Sequence, residues 1–156
     1  PVGYHAWVDE NTLVLFVLGD PATLQRADLE TGQTEVITRN VGRSIQRIPG
    51  SDDVSYAQIH ENGTATIMRL PSERTPPEPI AEAVAGADFH AWGPNGALLM
   101  ASGSVVYAWS LSTDEWVPVA DFSHLNISIS RLAISPNGSQ IAMVAEIAEI
   151  LGFPSN

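Results

Sequence analysis

Apolar and polar residues alternate along this chain in short runs, and the runs recur. Four segments share one pattern, a short apolar strand followed by a tight polar turn. They are His5-Ala6-Trp7-Val8-Asp9-Glu10-Asn11, Gln46-Arg47-Ile48-Pro49-Gly50-Ser51-Asp52, His90-Ala91-Trp92-Gly93-Pro94-Asn95-Gly96 and Leu132-Ala133-Ile134-Ser135-Pro136-Asn137-Gly138. Taking the large apolar residue before each turn as a marker gives Trp7, Ile48, Trp92 and Ile134. Successive markers lie about 41 to 44 residues apart, the length of one four-stranded propeller blade.

The turns have a mechanism. Proline presets φ near −65° at an early turn position, and Asn-Gly tolerates φ > 0 at the following ones. Asn95-Gly96 and Asn137-Gly138 are therefore hairpin signals between two apolar runs.

Each unit reads as four strands. The first has Tyr4–Val8 innermost, then Thr12–Leu18, Leu24–Leu29 and Thr34–Thr38. The second has Ser44–Ile48, Val54–Ile59, Thr64–Leu70 and Ile80–Val84. The third has Asp88–Trp92, Ala97–Ala101, Val105–Leu111 and Trp116–Phe122. A fourth unit begins with the Leu132 segment and continues with Ser139–Glu146. In Val105–Leu111 the residues Val105, Tyr107, Trp109 and Leu111 alternate with Val106, Ala108 and Ser110. That is period 2, which a helix cannot match. Helix-forming composition is confined to Ile80–Ala87, after a proline-rich turn, and Ile141–Leu151. Thr12–Leu18 is apolar at nearly every position, as a strand covered on both faces must be. Units of four up-and-down strands with both faces buried require neighbouring units stacked on each side, which is a propeller rather than a sandwich.

The expected fold is therefore all-β: a partial β-propeller of three four-stranded antiparallel blades and the start of a fourth. The blades span about 4–43, 44–87, 88–129 and 130–146, with 147–156 as a tail left unassigned. A ring of this kind has four to eight blades, so the segment does not close on itself. An incomplete blade leaves an uncovered face and an unpaired strand edge, which invites association. Two explanations stay open. Further blades come from a longer parent chain, the preferred reading because the chain opens directly on an inner strand. Alternatively, copies associate and close the ring between chains.

Composition narrows the functions. The chain has 156 residues and a net charge of −11, from 18 acidic and 7 basic side chains, and every basic one is arginine. A protein that grips a nucleic-acid backbone needs a positive surface, so nucleic acid is not an expected partner, and an anionic membrane surface is disfavoured for the same reason. Only 16% of residues are charged and 44% are hydrophobic, yet no apolar run reaches the ~18 residues of a membrane-spanning helix. There is no cysteine, which removes disulfides, thiolate metal ligands and a thiol nucleophile. No leader is visible, and since Pro1 is not a natural start residue the expectation is that sequence preceding it lies outside this chain.

Candidate chemistry is sparse. His5 and His90 each stand two residues before a marker tryptophan, with Gln46 and Leu132 as their counterparts. Innermost strands line a propeller's channel, so His5, Gln46 and His90 are the candidate ligand-binding residues; the competing reading makes His-Ala-Trp a packing motif. No catalytic or metal site is expected, and no cofactor. His60 and His124 stand in loops without metal-ligand spacing, and Asp52-Asp53 reads as a turn pair that caps backbone N–H groups. Neither Gly-x-Ser-x-Gly nor His-Glu-x-x-His occurs. Glu146 and Glu149 read as solvated carboxylates. Asn62-Gly63-Thr64, Asn126-Ile127-Ser128 and Asn137-Gly138-Ser139 match the glycosylation pattern, and Asn-Gly turns account for two of them.

The turns Ser135-Pro136-Asn137-Gly138 and Trp92-Gly93-Pro94-Asn95-Gly96 resemble the TolB-like, WD-repeat-like propeller repeat, whose blades carry a Trp-Ser-Pro-Asp-Gly-type turn between their first two strands. Asp28-Leu29-Glu30-Thr31-Gly32 resembles that family's turn between the third and fourth strands. The resemblance covers about residues 4–146. Val8-Asp9-Glu10-Asn11 and Pro49-Gly50-Ser51-Asp52 depart from it, and the Gly-His…Trp-Asp pair of a true WD repeat is absent. The resemblance implies a periplasmic or secreted, non-catalytic binding or scaffold module taking a protein, peptide or glycan on a loop face. Related propellers also precede serine-peptidase domains, which gives the alternative: a propeller attached to a hydrolase whose catalytic residues lie outside this chain.

Overall fold

The structure is a computed structural model in which residues 1–110 and 112–147 are described. Blade 1 comprises β1 (Val2–Trp7), β2 (Thr12–Val17), β3 (Thr23–Asp28) and β4 (Thr34–Arg39). Blade 2 comprises β5 (Val41–Arg47), β6 (Val54–Ile59), β7 (Ala65–Leu70) and β8 (Glu78–Glu82). Blade 3 comprises β9 (His90–Trp92), β10 (Leu98–Ser102), β11 (Val105–Ser110) and β12 (Glu115–Asp121). In blade 4, β13 (Ile127–Ile134) pairs with β14 (Ile141–Ile147). Every sheet runs in chain order with antiparallel neighbours. The fold is thus three four-stranded blades and a two-stranded start of another, a partial β-propeller. The innermost strands β1, β5, β9 and β13 contact one another in turn.

The helix-forming composition of Ile80–Ala87 is overridden: β8 occupies its start and extends forward to Glu78. Ile147, assigned to the tail, ends β14. Leu111 and residues 148–156, Glu149 among them, lie outside the described residues.

Hairpin chemistry explains the turns. Gly96 and Gly138 have φ of 81° and 70°, and their N–H groups donate to Gly93 O and Ser135 O. Asn137 Oδ1 accepts from the Ser139 N–H and from the hydroxyls of Ser135 and Ser139. Blade 1 lacks Pro and Gly here, and Asp9 Oδ1 substitutes by accepting the Asn11 N–H at 2.8 Å. In the outer turn, Asp28 Oδ1 accepts from the N–H groups of Glu30 and Thr31.

The core sits between blades. Val14, Phe16 and Leu24 of blade 1 pack on Val54, Tyr56 and Leu70 of blade 2. Ala57, Ile67 and Ala81 on the opposite face of blade 2 pack on Leu98 and Met100 of blade 3. Ala101 and Val106 then meet Ile129 and Leu132 of blade 4. In β6, Val54 and Tyr56 point one way and Ser55 and Ala57 the other, the period of a pleated strand. Each large apolar side chain so buried contributes about 1.5–3 kcal/mol of transfer free energy.

The chain passes between blades through left-handed residues. Asn40 (φ 57°), Gly86 (φ 78°) and Asn126 (φ 51°) each precede an inner strand, and asparagine and glycine are the types that tolerate this conformation. At the first crossing the Gln58 amide donates to the Arg39 and Asn40 carbonyls and accepts from Thr38 Oγ1.

Candidate functional site

The inner strands carry the residues singled out above, and their register corrects one of them. Turn-closing bonds run from Val8 N to Thr12 O, Ile48 N to Asp53 O, Gly93 N to Ala97 O and Ser135 N to Gln140 O. Val8, Ile48, Gly93 and Ser135 are therefore equivalent. The residue before each turn is Trp7, Arg47, Trp92 or Ile134, paired with Leu13, Val54, Leu98 and Ile141. Ile48 is thus one place beyond the marker position, and the counterpart of His5 and His90 is Ile45, not Gln46. The cause is physical: Arg47 at the marker position ion-pairs with Asp52 of its own turn, so the bulkiest apolar residue nearby is shifted by one.

His90 lies between blades 2 and 3, fully buried, so a ligand in the channel does not reach its ring. Nε2 is 2.7 Å from Ser55 Oγ. Trp92 Nε1 donates to the same oxygen at 2.8 Å, and Ser55 Oγ lies 3.2 Å from the Gln46 carbonyl, to which it donates. Ser44 Oγ donates to His90 O at 2.7 Å. A hydroxyl has one proton and two lone pairs. With the imidazole proton on Nε2, Ser55 accepts from His90 and Trp92 and donates to Gln46, and all its capacity is used. Nδ1 is left as a buried lone pair without a partner, a milder orphan than a buried N–H. Burial pushes the His90 pKa down to about 3, so the ring is neutral at physiological pH. In this arrangement the serine accepts from the histidine instead of losing a proton to it, which is the reverse of an activated nucleophile.

His5 occupies the equivalent place in blade 1, but no blade covers it among the described residues. It is exposed, and Trp7 beside it is 47% exposed. Gln46 is half-buried and contributes its carbonyl to the Ser55 knot. Across the inner strands, Arg131 Nη2 donates to the Tyr4 hydroxyl at 3.2 Å, joining blade 4 to blade 1.

The remaining polar groups near the core are consumed structurally. Asp53 accepts the Ser72 N–H at 2.8 Å and Arg69 Nε at 2.6 Å. Burial alone raises its pKa, yet the bonds from Ser72, Arg69 and Ser51 outweigh it and hold the carboxyl at about 2. Arg26 is buried and donates to Pro71 O, another bridge between blades 1 and 2. His60 pairs with Thr66 Oγ1. Among the described residues no three His, Asp or Glu side chains come together in a metal-binding group.

An open groove of about 640 Å³ lies between blades 2 and 3, lined on one side by Thr66, Ile80 and Glu82 and on the other by Trp109, Glu115 and Trp116. The two indoles meet edge to face at 5.2 Å. Trp116 Nε1 donates to the Glu82 carbonyl at 2.7 Å, fixing the ring across the blade boundary. The periodicity of β11 signals Trp109 as a strand residue, but nothing in the sequence brings β8 beside β11 and β12.

No family model matches the sequence, and no curated protein does. Solved structures do match. TolB from Acinetobacter baumannii aligns over 92% of this chain and 37% of its own, with 18% identity and a TM-score of 0.66. An auxiliary nutrient binding protein from Bacteroides thetaiotaomicron aligns over 90% and 35%, with 17% identity and a TM-score of 0.67. The tricorn protease aligns over 87% and 14%, with 12% identity and a TM-score of 0.56. The chain spans about a third of the first two proteins' length. At these identities the likeness is one of fold, a TolB-like propeller.

Proposed function

We propose that this chain is a non-catalytic binding or scaffold segment of a larger TolB-like propeller, placed outside the cytoplasm. One observation carries the reading: the Ser55–His90 pair, whose residue types and spacing of 2.7 Å are those of a catalytic dyad, is sealed between blades and committed to holding them together. Arg26 likewise bridges blades 1 and 2, and Asp53 is spent on bonds within blade 2. What remains for function is the surface, meaning the loops, the outer groove and the open faces of blades 1 and 4.

The open face of blade 1 presents His5 and Trp7 as blade 3 presents His90 and Trp92 to blade 2. We assign it to receive another blade, from the parent chain or from a second copy. The blade 2 example shows what covering this face requires: a hydroxyl at the position of Ser55. Of the three inner-strand candidates, His5 alone offers an exposed imidazole for such a contact. The location follows the resemblance in the turns, and fractionation of the producing cell tests it.

The reading is tested by exposing the purified protein to ester, peptide and phosphoester substrates. The expected result is no turnover that Ser55→Ala removes; turnover lost in that variant would overturn it. The likeness to the tricorn protease supports a second reading, a propeller serving a hydrolase. Its catalytic residues would stand in the rest of the parent protein, and an adjoining α/β segment with a nucleophile elbow would favour it.

A further inference from the structure

The groove between blades 2 and 3 combines three properties that together specify a ligand. It has an aromatic wall that is held in place. Trp116 is tied to the Glu82 carbonyl, and Trp109 packs edge to face against it, so little ordering entropy is lost when something stacks there. It carries negative charge, from Glu82, Asp114 and Glu115, all three exposed. And that charge is uncompensated. None of the ion pairs among the described residues involves these carboxylates, and no arginine lines the groove. With the chain at −11, the surrounding field adds to the local one.

The local bonds leave the carboxylates available. Glu82 uses Oε1 to accept from Thr66 Oγ1 at 3.1 Å, which orients the group and leaves Oε2 for another donor. Thr66 is itself steadied by His60 at 2.8 Å. Asp114, left-handed at φ 57°, closes its turn through its own N–H to Ser110 O, and its side chain stands at the rim.

We propose that this groove binds a guanidinium or ammonium side chain of a partner protein, stacked on the Trp109–Trp116 wall and paired with Glu82 and Glu115. This deepens the binding-module reading and rests on it. The chemistry is that of a cation over an indole face, strongest when part of the cation's water is displaced. Arginine suits it better than lysine, because a planar, weakly hydrated guanidinium can stack and donate to two carboxylates at once. A neutral sugar would use the indole faces and leave the charge without a role.

The test is a titration followed by the indole N–H resonances of the four tryptophans. The probe is the peptide acetyl-Gly-Arg-Gly-amide, with its citrulline analogue as the uncharged control. Trp109→Phe and Trp116→Phe assign the signals. Trp92, half-buried and tied to the Ser55 hydroxyl, serves as the internal reference. The arginine peptide is expected to shift Trp109 and Trp116 saturably and leave Trp92 in place. The citrulline peptide should bind at least about tenfold more weakly, and so should the arginine peptide in about 0.5 M salt. Glu82→Gln with Glu115→Gln, both at exposed positions, should weaken binding similarly while the melting temperature holds. Equal binding of the two peptides, or no shift at millimolar probe, would overturn the proposal. Such a result leaves the non-catalytic reading standing, because that reading is judged by turnover and not by this groove.

Discussion

Trp92 donates its indole N–H to the Ser55 hydroxyl 2.8 Å away, and so ties the inner strand of blade 3 to the second strand of blade 2. His90 meets the same oxygen. One small hydroxyl thus satisfies one buried and one half-buried donor across a blade boundary.

Ser55→Ala therefore orphans two N–H groups at once. A buried donor left unpaired costs about 1–3 kcal/mol, and the lost pairing is not replaced, since Ser55 is itself fully buried. The urea midpoint should fall by an amount equivalent to about 2–4 kcal/mol with the m-value unchanged. An unchanged midpoint would show that the knot carries no stability.

The same knot sets an acid limit. His90 has a folded pKa near 3 against an unfolded value of 6.5. Between these values the unfolded chain binds the extra proton, so stability rises with pH there and is fully present above about 6.5. As pH falls from 6.5 toward 3, His90 alone removes up to about 1.4 kcal/mol per pH unit. Asp53, depressed from 3.8 to about 2, adds its loss only below about pH 4. Denaturation curves of the wild type and His90→Gln at several pH values should converge as pH falls from 6.5 to 4. A constant difference between them would refute the assignment.

The architecture was readable in the chain because tight turns demand particular residues. Pro94-Asn95-Gly96 and Pro136-Asn137-Gly138 announce their hairpins by φ requirements that few sequences meet, and the interval between them reveals the blade. Register within a blade was less legible. Hydrophobic bulk picked Ile48, while the equivalent position holds Arg47, whose pairing with Asp52 is invisible before the turn is built. The importance of Ser55 was hidden for a different reason. A serine inside an apolar strand looks neutral, and its partners are 35 and 37 residues away. Likewise, the Trp109–Trp116 groove exists only because β8 of one blade abuts β11 and β12 of the next. Asn126 could have been read from the sequence as a crossing residue, since it precedes the alternating apolar run of an inner strand, whereas Asn40 stands before Val41-Gly42-Arg43-Ser44, where no such run signals it.

Gly42 of blade 2 sits close against Asp88, at the entry to blade 3. A Cβ built there would lie 2.9 Å from the Asp88 carbonyl oxygen and 3.0 Å from Ala57 Cβ. The first neighbour is backbone and cannot rotate away. Gly42→Ala should destabilise by about 1–3 kcal/mol through overpacking, visible as a lower melting temperature. Gly42 does not have a left-handed φ, so the effect is steric alone. Ala57→Gly should relieve one of the two contacts and recover part of the loss in the double variant. Strict additivity of the two changes would argue against contact between them.

The outward face and edge of blade 4 supply the last prediction. Val144 is 51% exposed and Ile147 80%, on a strand paired on one side only among the described residues. Unpaired backbone donors beside apolar side chains form a template for another strand. Blade 1 adds Trp7, Leu18 and Val36, all about half exposed. The isolated chain should therefore associate as its concentration rises, measurable as a rising mean mass in sedimentation equilibrium. Val144→Lys with Ile147→Lys places positive charge on the edge, the device natural sheets use against unwanted pairing. Because the chain is strongly acidic, the added lysines also lower the net repulsion between copies, which by itself favours association. A fall in mean mass would therefore have to come from the edge and not from bulk charge. A variant that associates as strongly as the parent would move the contact to the blade 1 face, where Trp7→Ser is the corresponding substitution.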